Sequence, residues 1–106
     1  MTPEGRIKAK FKKRLEKYKP HVWGWMPVSR GYGVHGIPDW IGCAYGCFIA
    51  VEFKAGTAEP TKHQALKHLE IREAKGTVFV VRDDESMDEV FVEIEGWKLA
   101  YKAIVG

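Results

Sequence analysis

Between residues 3 and 20 the apolar residues Ile7, Phe11, Leu15 and Tyr18 recur every three or four positions, with lysine and arginine filling most of the rest. That spacing describes one buried stripe on an amphipathic helix. Thr2 supplies an N-cap and Pro3 a first helical position, and Pro20 ends the segment. Counting back three from Ile7 places Glu4 on the inward side of the first turn. "HVWGWMPV" then alternates large apolar residues as a strand does, and "SRGYGVHG" follows as a glycine-rich loop leading to Asp39. "CFIAVEFK" and "TVFVV" are apolar runs of strand length and high β propensity. Between them, "PTKHQALKHLEIREAKG" reads as a helix: Thr61 and Gln64 form a capping box, Leu66 and Leu69 supply its apolar face, and Gly76 ends it.

Past Arg82 the pattern fits two structures. Met87, Val90, Phe91 and Ile94 suit a helix, whereas Val90, Val92 and Ile94 suit a strand. A second capping box, Ser86 with Glu89, decides for helix. The expected order is therefore helix, three strands, helix, strand, helix, an α/β arrangement without internal repeats.

Length adds that the 106 residues, 45% apolar and 29% charged, suit one domain spanning 1–106. The absence of an 18-residue apolar run, and of an apolar segment behind the polar N-terminus, points to a soluble cytoplasmic protein with no membrane partner. Charge changes the picture more. The net +3 hides a basic patch, because residues 1–20 hold eight Lys or Arg against two Glu, a local +6, and the remainder sums to −3. Lys8, Lys10, Lys12, Lys13 and Arg14 suit sequence-independent contact with a phosphate backbone, and a solvated helix face is the alternative.

The chemistry concentrates in "GIPDWIGCAYGCFIAVEFKAG". If the segments around Asp39 and Glu52 form a hairpin centred on Tyr45 and Gly46, residues whose numbers sum to 91 lie opposite one another, and the two carboxylates face across the ladder. Alternation puts Glu52 and Lys54 on one face and Phe53 on the other. Two opposed buried acids repel, and a divalent cation resolves the conflict: Mg²⁺ or Mn²⁺ suits Asp39, Glu52 and the Phe53 carbonyl, with Lys54 beside an attacking water. A surface hairpin in which Lys54 neutralises both acids has the same spacing, and the position of Glu4 alone favours a helix-dipole residue over a metal role.

"GIPDW", then "VEFK" as an ExK element, then the helix bearing Gln64, then "AKGTVFVV", with "TPEG" opening the first helix, resemble the PD-(D/E)xK nuclease superfamily. Within it, the chain is most similar to small stand-alone VRR-NUC proteins of bacterial or phage type. The resemblance covers nearly the whole chain and implies a restriction-endonuclease-like core with a mixed central β-sheet flanked by helices. It implies metal ligation at Asp39 and Glu52, catalysis involving Lys54, a supporting polar role for Gln64 and an auxiliary acid at Glu4. It further implies a metal-dependent DNA endonuclease, a homodimer, and cleavage of branched DNA such as Holliday junctions. Flap or single-strand-end processing, or a non-catalytic nucleic-acid-binding module, are the competing functions. Nothing resembles the added DNA-binding domains of the larger relatives.

Other residues carry weaker signals. Cys43 and Cys47 lack the further ligands a structural zinc needs, and His63 and His68, five apart on a helix, are poorly placed to share an ion, so two reduced, partly buried thiols are expected. His35 is expected to be a solvated loop residue. Arg30 and Tyr32 flank the glycine-rich loop as phosphate-contact candidates. The four tryptophans are expected mostly in the core, with Trp40, next to Asp39, able to shield the metal site.

Overall fold

The computed structural model describes residues 1–28 and 33–106. Helix α1 (Pro3–Leu15) runs into a 3-10 turn (Glu16–Tyr18), followed by strands β1 (Val22–Trp25), β2 (Trp40–Ala44) and β3 (Cys47–Phe53). Helix α2 (Lys62–Glu73), strand β4 (Thr77–Val81) and helix α3 (Asp84–Val105) complete the order. The sheet order is β1-β2-β3-β4. The first three strands are antiparallel and β4 joins β3 in parallel, with α2 as the crossover. This is the mixed α/β arrangement expected from the sequence.

Tyr45 (φ 52°) and Gly46 (φ 84°) are both left-handed, as the two centres of a tight hairpin turn require. The turn sets Ala44 opposite Cys47 and Trp40 opposite Val51, the register in which opposed numbers sum to 91. One further step brings Asp39 level with Glu52.

The two faces of the sheet are covered differently. One bears Trp40, Ile49, Val51, Phe53 and Val81 against Phe11, Leu15 and Tyr18 of the N-terminal segment and Met87, Val90, Phe91 and Ile94 of α3, all buried in one cluster. The Phe11 ring meets Trp40, Phe53 and Phe91 at centroid distances of 5.2, 5.3 and 5.7 Å. Gly24 and Gly42, paired across β1 and β2, leave room for the Trp40 indole, because a Cβ on either would fall within 2.7 Å of that ring.

The other face bears Ala50, Glu52 and Val78, which are buried, and Trp23, Trp25, Cys43 and Phe48, which are exposed. Helix α2 therefore shelters the β3–β4 half and leaves the β1–β2 half open. Among the described residues, no helix is long and apolar enough to cross a membrane.

Four expectations change. Leu66 and Leu69 do not form the packed face of α2; both are 52% exposed. The helix instead turns Gln64 and His68, one turn apart, toward Glu52, because a buried carboxylate needs polar partners more than two leucines need cover. Helix α3 starts before the expected Ser86/Glu89 box: Asp83 accepts from the Ser86 N–H at 2.8 Å and Ser86 Oγ accepts from the Asp83 N–H at 3.1 Å. That frame places Asp84 and Glu85 in the first turn, where the helix dipole favours them. Trp23 and Trp25 are exposed rather than core, since β1 alternates and only its Val22 face meets the helices. Of the two thiols, Cys43 is exposed and Cys47 only partly buried, because Cys43 falls on the open half.

Candidate active site

Asp39 ends the loop entering β2 and is held before the strand begins: its Oδ2 accepts from the Phe53 N–H at 2.8 Å. The Lys54 N–H donates to the Val81 carbonyl at 3.0 Å, so β3 faces β4 at Lys54 and β2 at Phe53. Backbone N–H and C=O of one strand residue share a side, which turns the Phe53 carbonyl toward Asp39. Asp39, Glu52 and the Phe53 carbonyl thus converge where β2 and β3 part.

Glu52 is 1% exposed. Its Oε2 accepts from Gln64 Nε2 at 3.2 Å, and its Oε1 lies 3.2 Å from Nε2 of His68, itself 3% exposed. Gln64 is bound at both ends, because its Oε1 accepts from the Thr61 N–H at 2.9 Å while Thr61 Oγ1 accepts from the Gln64 N–H at 3.2 Å. The capping box expected from the sequence is formed, and it fixes which end of the amide faces Glu52.

The loop before Asp39 is pressed onto the same helix start. Gly36 has φ +82°, and a Cβ there would lie 2.3 Å from the His63 backbone, so a side chain at 36 would push the loop away. His35, 5.2 Å from the His63 ring, is exposed as expected. A cleft of about 580 Å³ opens here, lined by His35, Asp39, Thr61, His63 and Gln64 among others.

Burial, reinforced by the hydrogen bond and charge of Asp39, pushes the Glu52 carboxyl up to about 8; Lys54 opposes the shift and Glu4 adds to it. Both therefore lie within electrostatic reach of Glu52. Burial also holds the His68 ring below its usual range, aided by the charges of Arg72 and Lys54. Burial thus disfavours the charged form of both Glu52 and His68, and a cation beside Glu52 would favour its carboxylate form.

The donor set suits a hard divalent ion: two carboxylates and a carbonyl, all oxygen, beside a cleft with room for water. Among the described residues no three His, Cys, Asp or Glu side chains form a metal cluster, so water and a phosphate would complete the shell. Trp40 does not shield these groups. Neighbours in a strand point to opposite faces, and its indole packs on Phe11 and over Gly24 and Gly42.

The basic helix is only partly free. Glu4 pairs with Lys8 at 3.3 Å, Lys10 with Asp84 at 3.1 Å and Arg14 with Asp88 at 2.7 Å. Lys12 projects instead toward β1, and Lys13 is exposed. Arg30 and Tyr32 lie outside the described residues. His68 is the site residue that sequence reading passed over. Its signal was the spacing from Gln64, four residues and one helical turn away on the same face.

No protein-family model matches the sequence, and no curated protein is significantly similar to it. Among solved structures, a chain described as a "VRR_NUC domain" superposes with a TM-score of 0.72 at 27% identity, covering 86% of this chain and 96% of its own. The resemblance carried by the motifs is borne out: the fold is VRR-NUC-like, within the PD-(D/E)xK nuclease superfamily.

Proposed function

We propose that this VRR-NUC-like chain is a divalent-metal-dependent DNA endonuclease, hydrolysing phosphodiester bonds at the Asp39–Glu52 pair. The observation that carries the reading is the burial of Glu52 between Gln64 and His68, level with Asp39, on the fold of a nuclease family. Asp39, Glu52 and the Phe53 carbonyl hold Mg²⁺ or Mn²⁺. The cation, when bound, supplies charge against the phosphate oxygens and eases deprotonation of the attacking water. Gln64 and His68 hold the Glu52 carboxylate in one orientation, since each of its oxygens has a fixed partner. Lys54 orients the water and faces the negative charge that develops on the phosphate.

Glu4, whose charge is felt at Glu52, acts as an auxiliary acid. Lys8, Lys10, Lys12, Lys13 and Arg14 contact phosphates, and exposed ion pairs such as Lys10–Asp84 cost little to exchange for them. The substrate is branched DNA, Holliday junctions included, and a homodimer presents two sites to two strands. Single-stranded flaps are the second reading, favoured by the exposed tryptophans of β1.

A panel of junction, flap, duplex and single-stranded DNAs, incubated with Mg²⁺, Mn²⁺ or chelator, tests this reading. Metal-dependent cutting strongest on junctions is expected. Binding without strand scission under every condition would leave a nucleic-acid-binding module instead.

A further inference from the structure

Strand β1 is the outer strand of the sheet and carries two large side chains that the fold does not use. Trp23 is 64% exposed and Trp25 50%, with ring centroids 5.5 Å apart. Indoles cost free energy in water, and each buries a large area when covered. Along the free edge of β1 runs a groove of about 440 Å³ against α1, lined by Lys12, Glu16, Lys19, Trp23, Trp25 and Met26 among others. Lys19 is held by Glu16 at 3.0 Å in an exposed pair, which a phosphate can displace cheaply. A strand lying on this edge would meet amines on one side and indoles on the other.

The same face bears the candidate active site. Trp25 pairs with Ile41 and Ile41 with Ala50, and Glu52 is two residues along from Ala50 in β3. With strands about 4.8 Å apart and a rise of about 3.4 Å per residue, Trp25 and Glu52 are separated by about 12 Å of sheet, a few nucleotides. Lys12 and Lys19 both line the groove at the β1 edge, so a strand laid along that edge meets both amines before it crosses the open face.

We propose that Trp23 and Trp25 form a stacking platform for the bases of single-stranded nucleic acid, with Lys12 and Lys19 holding its phosphates and the strand continuing toward Asp39 and Glu52. Aromatic faces accept any base, so the platform grips unpaired strands, such as the flaps of the second reading, without reading sequence. This proposal rests on the nuclease reading for its purpose, though stacking itself needs no catalysis.

The test is binding of the wild-type chain, in chelator, to a labelled oligothymidylate and to a blunt duplex hairpin, read by anisotropy and tryptophan quenching. The double variant Trp23→Ala/Trp25→Ala should bind the single strand about ten-fold or more weakly. It should hold the duplex within about two-fold and stay folded at the assay temperature, because both rings are at least half exposed. Trp23→Phe/Trp25→Phe should recover much of the loss. Lys12→Gln should lower the single-strand salt slope by about 0.7, which the tryptophan variants should not.

Equal single-strand affinity with and without the indoles overturns the platform. So does a double variant that changes only the sedimentation of the chain from dimer to monomer, which would assign the face to a second copy. Cutting in Mg²⁺ is scored separately: quenching by single strands without any scission would sink the nuclease reading and leave the platform standing.

Discussion

Phe53 and Glu52 are neighbours on β3, both almost wholly buried, and they are buried for opposite reasons. Phe53 points into the aromatic cluster around Phe11 and is stabilised by leaving water. Glu52 points to the other face, where burial opposes its charge and two helix side chains hold it in place. One face of the sheet maintains the fold; the other keeps a carboxylate in a state that water would not favour. Polar groups held against solvation mark functional sites, since packing alone gives no reason to keep them.

The sharpest way to break this contrast is to exchange its outcomes. Glu52→Gln or Asp39→Asn should lower cleavage by about a thousand-fold or more while the chain stays folded. Phe11→Ala should cost about 3–5 kcal/mol and unfold much of the protein, with activity lost only in proportion. Cleavage rates normalised to the folded fraction, measured by circular dichroism, separate the two. Normal cutting by Glu52→Gln would dismiss the site. Lys54→Ala should lose about a hundred-fold in turnover and still bind Mg²⁺ by calorimetry.

A pH titration sharpens the comparison. The folded-state pKa of Glu52, about 8, lies above its ordinary 4.5, so in metal-free solution the folded chain keeps a proton that the unfolded chain has released. This contribution is full below pH 4.5 and is lost as pH rises through 8. The lowered pKa of His68 acts in the opposite sense below its ordinary 6.5, leaving the window from 6.5 to 8 to Glu52. The metal-free melting temperature should fall across that window, and Glu52→Gln should flatten the slope. A slope unchanged in Glu52→Gln would assign it elsewhere.

Smaller effects separate capping from positioning. Gln64→Ala should lower metal affinity or turnover by about ten-fold, read by calorimetry and by cleavage. Thr61→Ala removes only the helix cap and should cost about 1 kcal/mol with cleavage per folded molecule unchanged. Equal catalytic loss in both would mean that the helix start, and not the Gln64 amide, sets the site.

Much of this arrangement was legible in the sequence because it rests on local rules. The turn at Tyr45 and Gly46 fixes the register that opposes Asp39 and Glu52, and the Thr61–Gln64 pair marks a helix start by chemistry that acts over three residues. What escaped depends on which elements meet. Leu66 and Leu69 carry the apolar signal of α2, but the helix packs according to what lies beneath it, and Glu52 drew Gln64 and His68 inward. Trp23 and Trp25 read as core by residue type, yet an outer strand that no helix covers leaves one face in water. Asp83 and Ser86 are both good caps, and the reciprocal bonds between them settle the start one turn earlier, with Asp84 and Glu85 in the first turn.

The doubly bound Gln64 amide has a consequence for motion. Its oxygen closes the first turn of α2 and its nitrogen holds Glu52, so fraying of that turn and loosening of the carboxylate are a single event. Hydrogen exchange at the first amides of α2 should therefore slow when a divalent ion engages Glu52, and the helix start becomes a reporter for a site it does not itself line with charge.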